Sequence, residues 1–173
     1  AVLIDPLSIA LAAIQRSHRP GTPDRLEGFG LGQTVVVQGA GAIGASAATL
    51  VKLGGASQVI VIGAPQGRLK VCQRLGADHV IDIDEISDPE ERLSIVRDLT
   101  HHRLGADVVI EAAGVPQAFS EALDLVRRGG TVVEVGSFTS QGSVKFDPSM
   151  LCYKHLNIYG SWTLPPAGFG SML

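Results

Sequence analysis

The sequence predicts an α/β fold: a doubly wound parallel sheet of about six strands with helices on both faces. Three observations predict it. The strand candidates are unbroken Val/Ile runs rather than polar/apolar alternations, as in sheets covered on both faces. Strand and helix patterns alternate strictly, which implies right-handed βαβ units. The chain has 173 residues, 45% apolar and 18% charged, enough for one globular core without staples.

The elements follow in order. Leu7, Leu11 and Ile14 recur at helical spacing through Arg16, with Asp5 as helix cap and Pro6 in the first turn. Pro20-Gly21-Thr22-Pro23-Asp24 reads as a loop. Residues 1–28 are therefore expected to be a helix and linker, and 29–173 the sheet domain. TVVVQ at 34–38 is the first strand, and 43–53 a small-residue helix ended by Gly54-Gly55. QVIVI at 58–62 is the second strand, followed by a helix at 66–75 stopped by Gly76. A short strand at 79–82 comes next. Asp88 caps a helix at 89–103, with Pro89 at its first position and Glu90 and Glu91 near its positive end. ADVVIE at 106–111 is the fourth strand, followed by a helix at 116–128 closed by Gly129-Gly130. TVVEV at 131–135 is the fifth strand, and LNIY at 156–159 the sixth.

Composition excludes several classes. Lys and Arg total 14, Asp and Glu 17, and no basic tract stands out, which argues against a nucleic-acid partner. Residues 28–51 are uncharged, but glycines break the run and its texture changes midway, so a strand, turn and helix explain it better than a membrane span. No signal-peptide pattern is present. Two cysteines suit a reducing compartment, and a cytoplasmic protein is expected. The chain starts at Ala1, not Met, which reads as a fragment.

Gly39-Ala40-Gly41-Ala42-Ile43-Gly44 fits G-x-G-x-x-G between an apolar strand and a small-residue helix. In that context the pattern marks a Rossmann dinucleotide site. Gly39 permits the tight turn, Gly41 lets backbone approach a diphosphate, and Gly44 allows close helix packing. Helix-start N–H groups bind the phosphates. The second strand should end in an acid if the cofactor carries a free ribose 2′-hydroxyl. Gly63 stands there instead, which permits NADP as well as NAD, and Arg68 is placed to reach a phosphate or a ribose. An Asp introduced at Gly63 is expected to shift preference towards NAD. Beyond the fourth and fifth strands, Ala112-Ala113-Gly114 and Val135-Gly136-Ser137 leave room for the rest of a dinucleotide.

These motifs together resemble the medium-chain dehydrogenase/reductase family, in particular its zinc-dependent alcohol and polyol dehydrogenases. The resemblance runs from about Ala1 to Trp162. It rests on Asp5-Pro6-Leu7-Ser8, VVVQGAGAIG, Arg74-Leu75-Gly76-Ala77-Asp78, GADVVIEAAG, RRGGTVVEVG and the segment 156–161. It implies the cofactor-binding part of a larger enzyme that moves hydride between an alcohol and NAD(P), with most zinc ligands in a preceding catalytic domain. It implies Asp5 as a candidate ligand of the catalytic zinc in the intact enzyme, Tyr159 near the cofactor, and a small-molecule alcohol as substrate. It also implies a homodimer through the edge strand from Leu156 to Tyr159. The alternatives are a zinc-free quinone or enoyl reductase of the same superfamily and a regulatory nucleotide-binding module.

Overall fold

The computed structural model describes residues 3–17, 30–137 and 141–162. In chain order the elements are α1 (Ile4–Ser17), β1 (Thr34–Gln38), α2 (Ala42–Leu53), β2 (Gln58–Gly63), α3 (Gln66–Arg74), β3 (His79–Asp82) and α4 (Pro89–Leu99). After a short 3-10 turn (His101–Arg103) come β4 (Ala106–Glu111), α5 (Pro116–Leu125), β5 (Val126–Glu134), α6 (Ser149–Lys154) and β6 (Asn157–Gly160). The strands form one sheet in the order β3-β2-β1-β4-β5-β6, every pair parallel. This is the doubly wound order expected. The chain leaves β1 towards one edge and β4 towards the other.

Both faces are covered, which is why the strands carry no alternation. Val35, Val37, Val59, Val61 and Ile110 pack on α1, α2 and α3 through Ala10, Ala13, Val51 and Leu69. Val36, Ile60, Val109 and Val132 pack on α4 and α5 through Val96, Ala122 and Leu123. Each fully buried Val, Leu or Ile contributes roughly 1.5–3 kcal/mol. Since α1 shares the first of these cores, it is part of the same packed body as the sheet. The loop expected at 20–24 lies outside the described residues.

Several boundaries differ from the sequence expectation, each for a local reason. Helix α1 starts at Ile4, so Asp5 is inside the first turn and does not cap it; the Leu7 N–H bonds to the Leu3 carbonyl. Helix α4 keeps its Asp88 cap, whose carboxylate accepts from the Glu90 N–H at 3.1 Å, but ends at Leu99. Buried Thr100 stops it, donating to the Arg97 carbonyl and accepting from the Gly105 N–H. Helix α5 ends at Leu125 rather than at 128. Val126 turns into the core and Arg127 pairs with Asp107 at 2.5 Å, so 126–130 joins β5 across a bulge. The last strand begins at Asn157, one residue later than expected. The Leu156 N–H closes α6 by bonding the Leu151 carbonyl, after His155 in the left-handed conformation.

Candidate functional site

The chain leaves β1 through Gly39, whose φ of +100° favours glycine. A Cβ there would also stand 2.7 Å from the Ala112 carbonyl. The turns after β1 and β4 therefore lie against each other at the point where the winding reverses, the place where such sheets bind ligands. Gly44 packs its backbone on the Gly39 carbonyl, and a Cβ would stand 2.9 Å from the Gly39 carbonyl carbon. Gly41 is different. Its φ of −79° suits any residue, and a Cβ on it would meet nothing within 4 Å. It faces open space at the start of α2, where no side chain caps the helix. The exposed Ala42 and half-buried Ile43 complete that first turn.

A cleft of about 520 Å³ opens here, lined by Gly39, Ala40, Gly41, Gly63, Arg68, Ala112 and Ala113 among others. These were all expected at the site. Sequence reasoning missed Gln38, Gln117, Arg92 and Glu121, which line the same cleft. Arg92 is nearly buried and pairs bidentately with Glu121 at 2.7 and 3.1 Å, while Gln38 donates to the same carboxylate at 3.3 Å. Glu121 thus offsets the charge of Arg92, and Arg68 is the other cation among the lining residues. No motif carries this pair, because α4 and α5 meet only after folding.

Gly63 ends β2 as expected, but the space for an acid there is not. A Cβ on Gly63 would stand 2.8 Å from the Ala40 nitrogen. The expectation that an introduced Asp would simply reach a ribose is corrected: the side chain would first press on the glycine turn.

A second cavity of about 460 Å³ lies past β5 and β6, lined by Arg16, Glu134, Val135, Ser137, Gly160, Ser161 and Trp162. Val135 and Ser137 were expected near the cofactor; Arg16, Glu134 and Trp162 were not. Gly114 and Gly136 pack backbone to backbone between the two cavities, since a Cβ on Gly114 would stand 2.6 Å from the Gly136 carbonyl oxygen. Tyr159 lies in β6, in register with Val133, and is not among the residues lining either cavity. Two carboxylates hold the strand-end turns. Glu111, fully buried, accepts from the Ala113 and Gly114 N–H groups at 2.7 and 2.9 Å. Glu134 accepts from the Ser137 N–H at 2.8 Å. Burial, and then the neighbouring Glu134, push the Glu111 carboxyl up to about 8.

Asp5 is exposed in the first turn of α1. Among the described residues no three His, Cys, Asp or Glu side chains group so as to hold a metal ion, so these residues alone do not fit a zinc site. Among them also, no helix is long and apolar enough to cross a membrane.

Residues 42–172 match the family model described as zinc-binding dehydrogenase. The chain is 36% identical over 155 residues to 5-exo-hydroxycamphor dehydrogenase of Pseudomonas putida, covering 90% of this chain and 41% of that protein. It is 32% identical to sorbitol dehydrogenase of Bacillus subtilis, covering 92% and 41%. An alcohol dehydrogenase structure from Thermotoga maritima superposes with a TM-score of 0.85 at 32% identity, over 96% of this chain and 43% of that one. A zinc-binding dehydrogenase from Sinorhizobium meliloti, solved bound to NADP, superposes at 0.82 with 25% identity, over 98% and 46%. The chain thus spans about two fifths of the length of the curated relatives it matches. With the doubly wound sheet and the glycine turn at its switch point, these matches show that the chain belongs to the zinc-binding dehydrogenase family.

Proposed function

We propose that this chain is the NAD(P)-binding part of an alcohol or polyol dehydrogenase. The observation that carries this reading is Gly41. Packing explains Gly39 and Gly44, but a Cβ on Gly41 would meet nothing within 4 Å, and Gly41 lines the cleft. A diphosphate laid against Gly41 would meet the uncapped start of α2 and its partial positive charge. Arg68 would meet the ribose or its phosphate at one end. The turns of Ala112-Ala113-Gly114 and Val135-Gly136-Ser137 would carry the other end towards the second cavity. The bound nicotinamide would supply the hydride acceptor, while this chain binds and orients it.

Two observations support a site that takes NADP as well as NAD: Gly63 presents no carboxylate to repel a 2′-phosphate, and the Sinorhizobium relative was solved with NADP. A catalytic zinc would need donors beyond the described residues, with Asp5 as one ligand. The substrate of the whole enzyme would be a small alcohol. Cys72 and Cys152 are both free thiols, consistent with a reducing, cytoplasmic setting.

Fluorescence titration of the chain with NADH and NADPH tests this. Saturable binding of both is expected, unchanged by added zinc. Failure of both to bind at millimolar concentration would reject it. The reading extends to a homodimer: among the described residues β6 is an edge of the sheet, paired with β5 on one side, and a two-fold contact along it would join two sheets into one. A dimeric mass in sedimentation at micromolar concentration is expected; a monomeric mass would reject that part.

A further inference from the structure

Glu111 and Glu134 are cross-strand neighbours, in register on β4 and β5 and on the face covered by α5. Each spends one oxygen on its own turn: Glu111 Oε1 on the Ala113 and Gly114 N–H groups, Glu134 Oε1 on the Ser137 N–H. Each leaves its other oxygen, Oε2, buried and without a donor. Glu111 Oε2 is pressed against the β5 turn, 2.5 Å from where a Cβ on Gly136 would stand. A fully buried carboxylate beside a half-buried one, each with one buried orphan oxygen, is costly if both are ionised. A single proton between the orphans satisfies both.

Among the described residues no cation is hydrogen-bonded to either carboxylate. On β1 the residue in register with Glu111 is Gln38, neutral and bonded to Glu121 of α5, whose charge is matched by Arg92 of α4. On β6 the residue in register with Glu134 is Gly160. Lys154 of α6 bonds the Leu123 and Asp124 carbonyls at the far end of α5. Arg16 of α1 lines the cavity that Glu134 also lines, and no hydrogen bond from it to either carboxylate is present among the described residues. The pair stands between the two cavities, Ala113 of one turn lining the first and Ser137 of the other the second.

We propose that Glu111 and Glu134 share one proton, and that this shared proton ties the two turns into one platform for the dinucleotide, so that losing it weakens cofactor binding. Both are positioning residues. The inference rests on the dinucleotide reading of the site. When the proton leaves to solvent, the two carboxylates repel, the turns they hold move apart, and a negative charge is added beneath an anionic ligand.

The test uses this chain with NADH or NADPH as probe, across the pH range around the raised Glu111 value of about 8. Affinity should fall by about tenfold per pH unit above it, until the bound form also titrates. In Glu111→Gln the amide replaces the acid proton: its oxygen accepts from the same two N–H groups and its nitrogen donates to Glu134. That variant should show no such fall, and Glu134→Gln serves if Glu111→Gln does not fold. Infrared spectroscopy should show a protonated carboxyl at neutral pH in the unmodified chain that disappears as pH rises and is missing from Glu111→Gln. Identical pH profiles for the unmodified chain and the Gln variant would overturn the proposal. So would lack of the carboxyl band while cofactor binds normally, which would leave the functional reading intact. If the band is present and neither cofactor binds at any pH, the functional reading fails and the coupling to binding is overturned with it.

Discussion

Gly44 of α2 lies on Gly39 of the turn so closely that a Cβ on Gly44 would fall on the Gly39 carbonyl. The two residues fix the angle at which α2 meets β1. Since backbone cannot give way as a flexible side chain can, Gly44→Ala should force the helix off the turn. The expected loss is roughly 1–3 kcal/mol of stability, the usual range for overpacking. Urea unfolding measures it, and an unchanged midpoint would show that α2 shifts freely.

Gly41 should behave in the opposite way. An Asp there occupies open space in an ordinary backbone conformation and sits at the cap position of α2. It should leave stability equal or raise it by a few tenths of a kcal/mol. Its charge meets the diphosphate, so dinucleotide affinity should drop by at least about tenfold, or about 1.4 kcal/mol. Gly41→Asp therefore separates binding from folding, which Gly44→Ala cannot do. A variant that binds NADH as tightly as the parent would show that the open turn has no ligand role.

Gly63→Asp should lower affinity for NADH and NADPH alike rather than exchange one for the other. The new Cβ would stand 2.8 Å from the Ala40 nitrogen and 3.1 Å from its Cβ. That contact displaces the turn before any carboxylate reaches a ribose, at a cost of roughly 1–3 kcal/mol. The check is the pair of dissociation constants together with the urea midpoint. A clean shift towards NADH at unchanged stability would refute the clash.

Stability should decline as pH rises from about 4.5 to about 8. The Glu111 carboxyl is raised from its ordinary 4.5 to about 8, so the folded chain binds this proton more tightly than the unfolded chain does. Its contribution is fully present below the unfolded value and is lost as pH rises through the folded one. Thermal unfolding across that range should show the decline, and Glu111→Gln should flatten it. Equal slopes for the two proteins would assign the decline to other groups.

Much of the fold was legible in the sequence because the information was local. Unbroken Val/Ile runs such as TVVVQ require two covered faces, and helix stops such as Gly76 act through their own backbone. The glycine turn was legible for the same reason: its spacing is the geometry. Boundaries failed where a distant partner decided them. Helix α5 stops at Leu125 because Arg127 finds Asp107, twenty residues back, and β6 starts late because Leu156 closes α6 instead. The Arg92–Glu121 pair was invisible, since neither residue carries a pattern and only the docking of α4 on α5 joins them.

The sequence by itself determined the six strands and the helices between the first five, the doubly wound sheet and the phosphate turn, because periodicity and glycine spacing are properties of short stretches; it did not mark α6. Only the tertiary structure decided what each glycine is for: Gly41 faces a cleft, while Gly63 faces the Ala40 nitrogen. It alone also set Glu111 beside Glu134, because strand register aligns residues 23 apart in the chain, and it alone took Glu111 out of the water that would have solvated its charge.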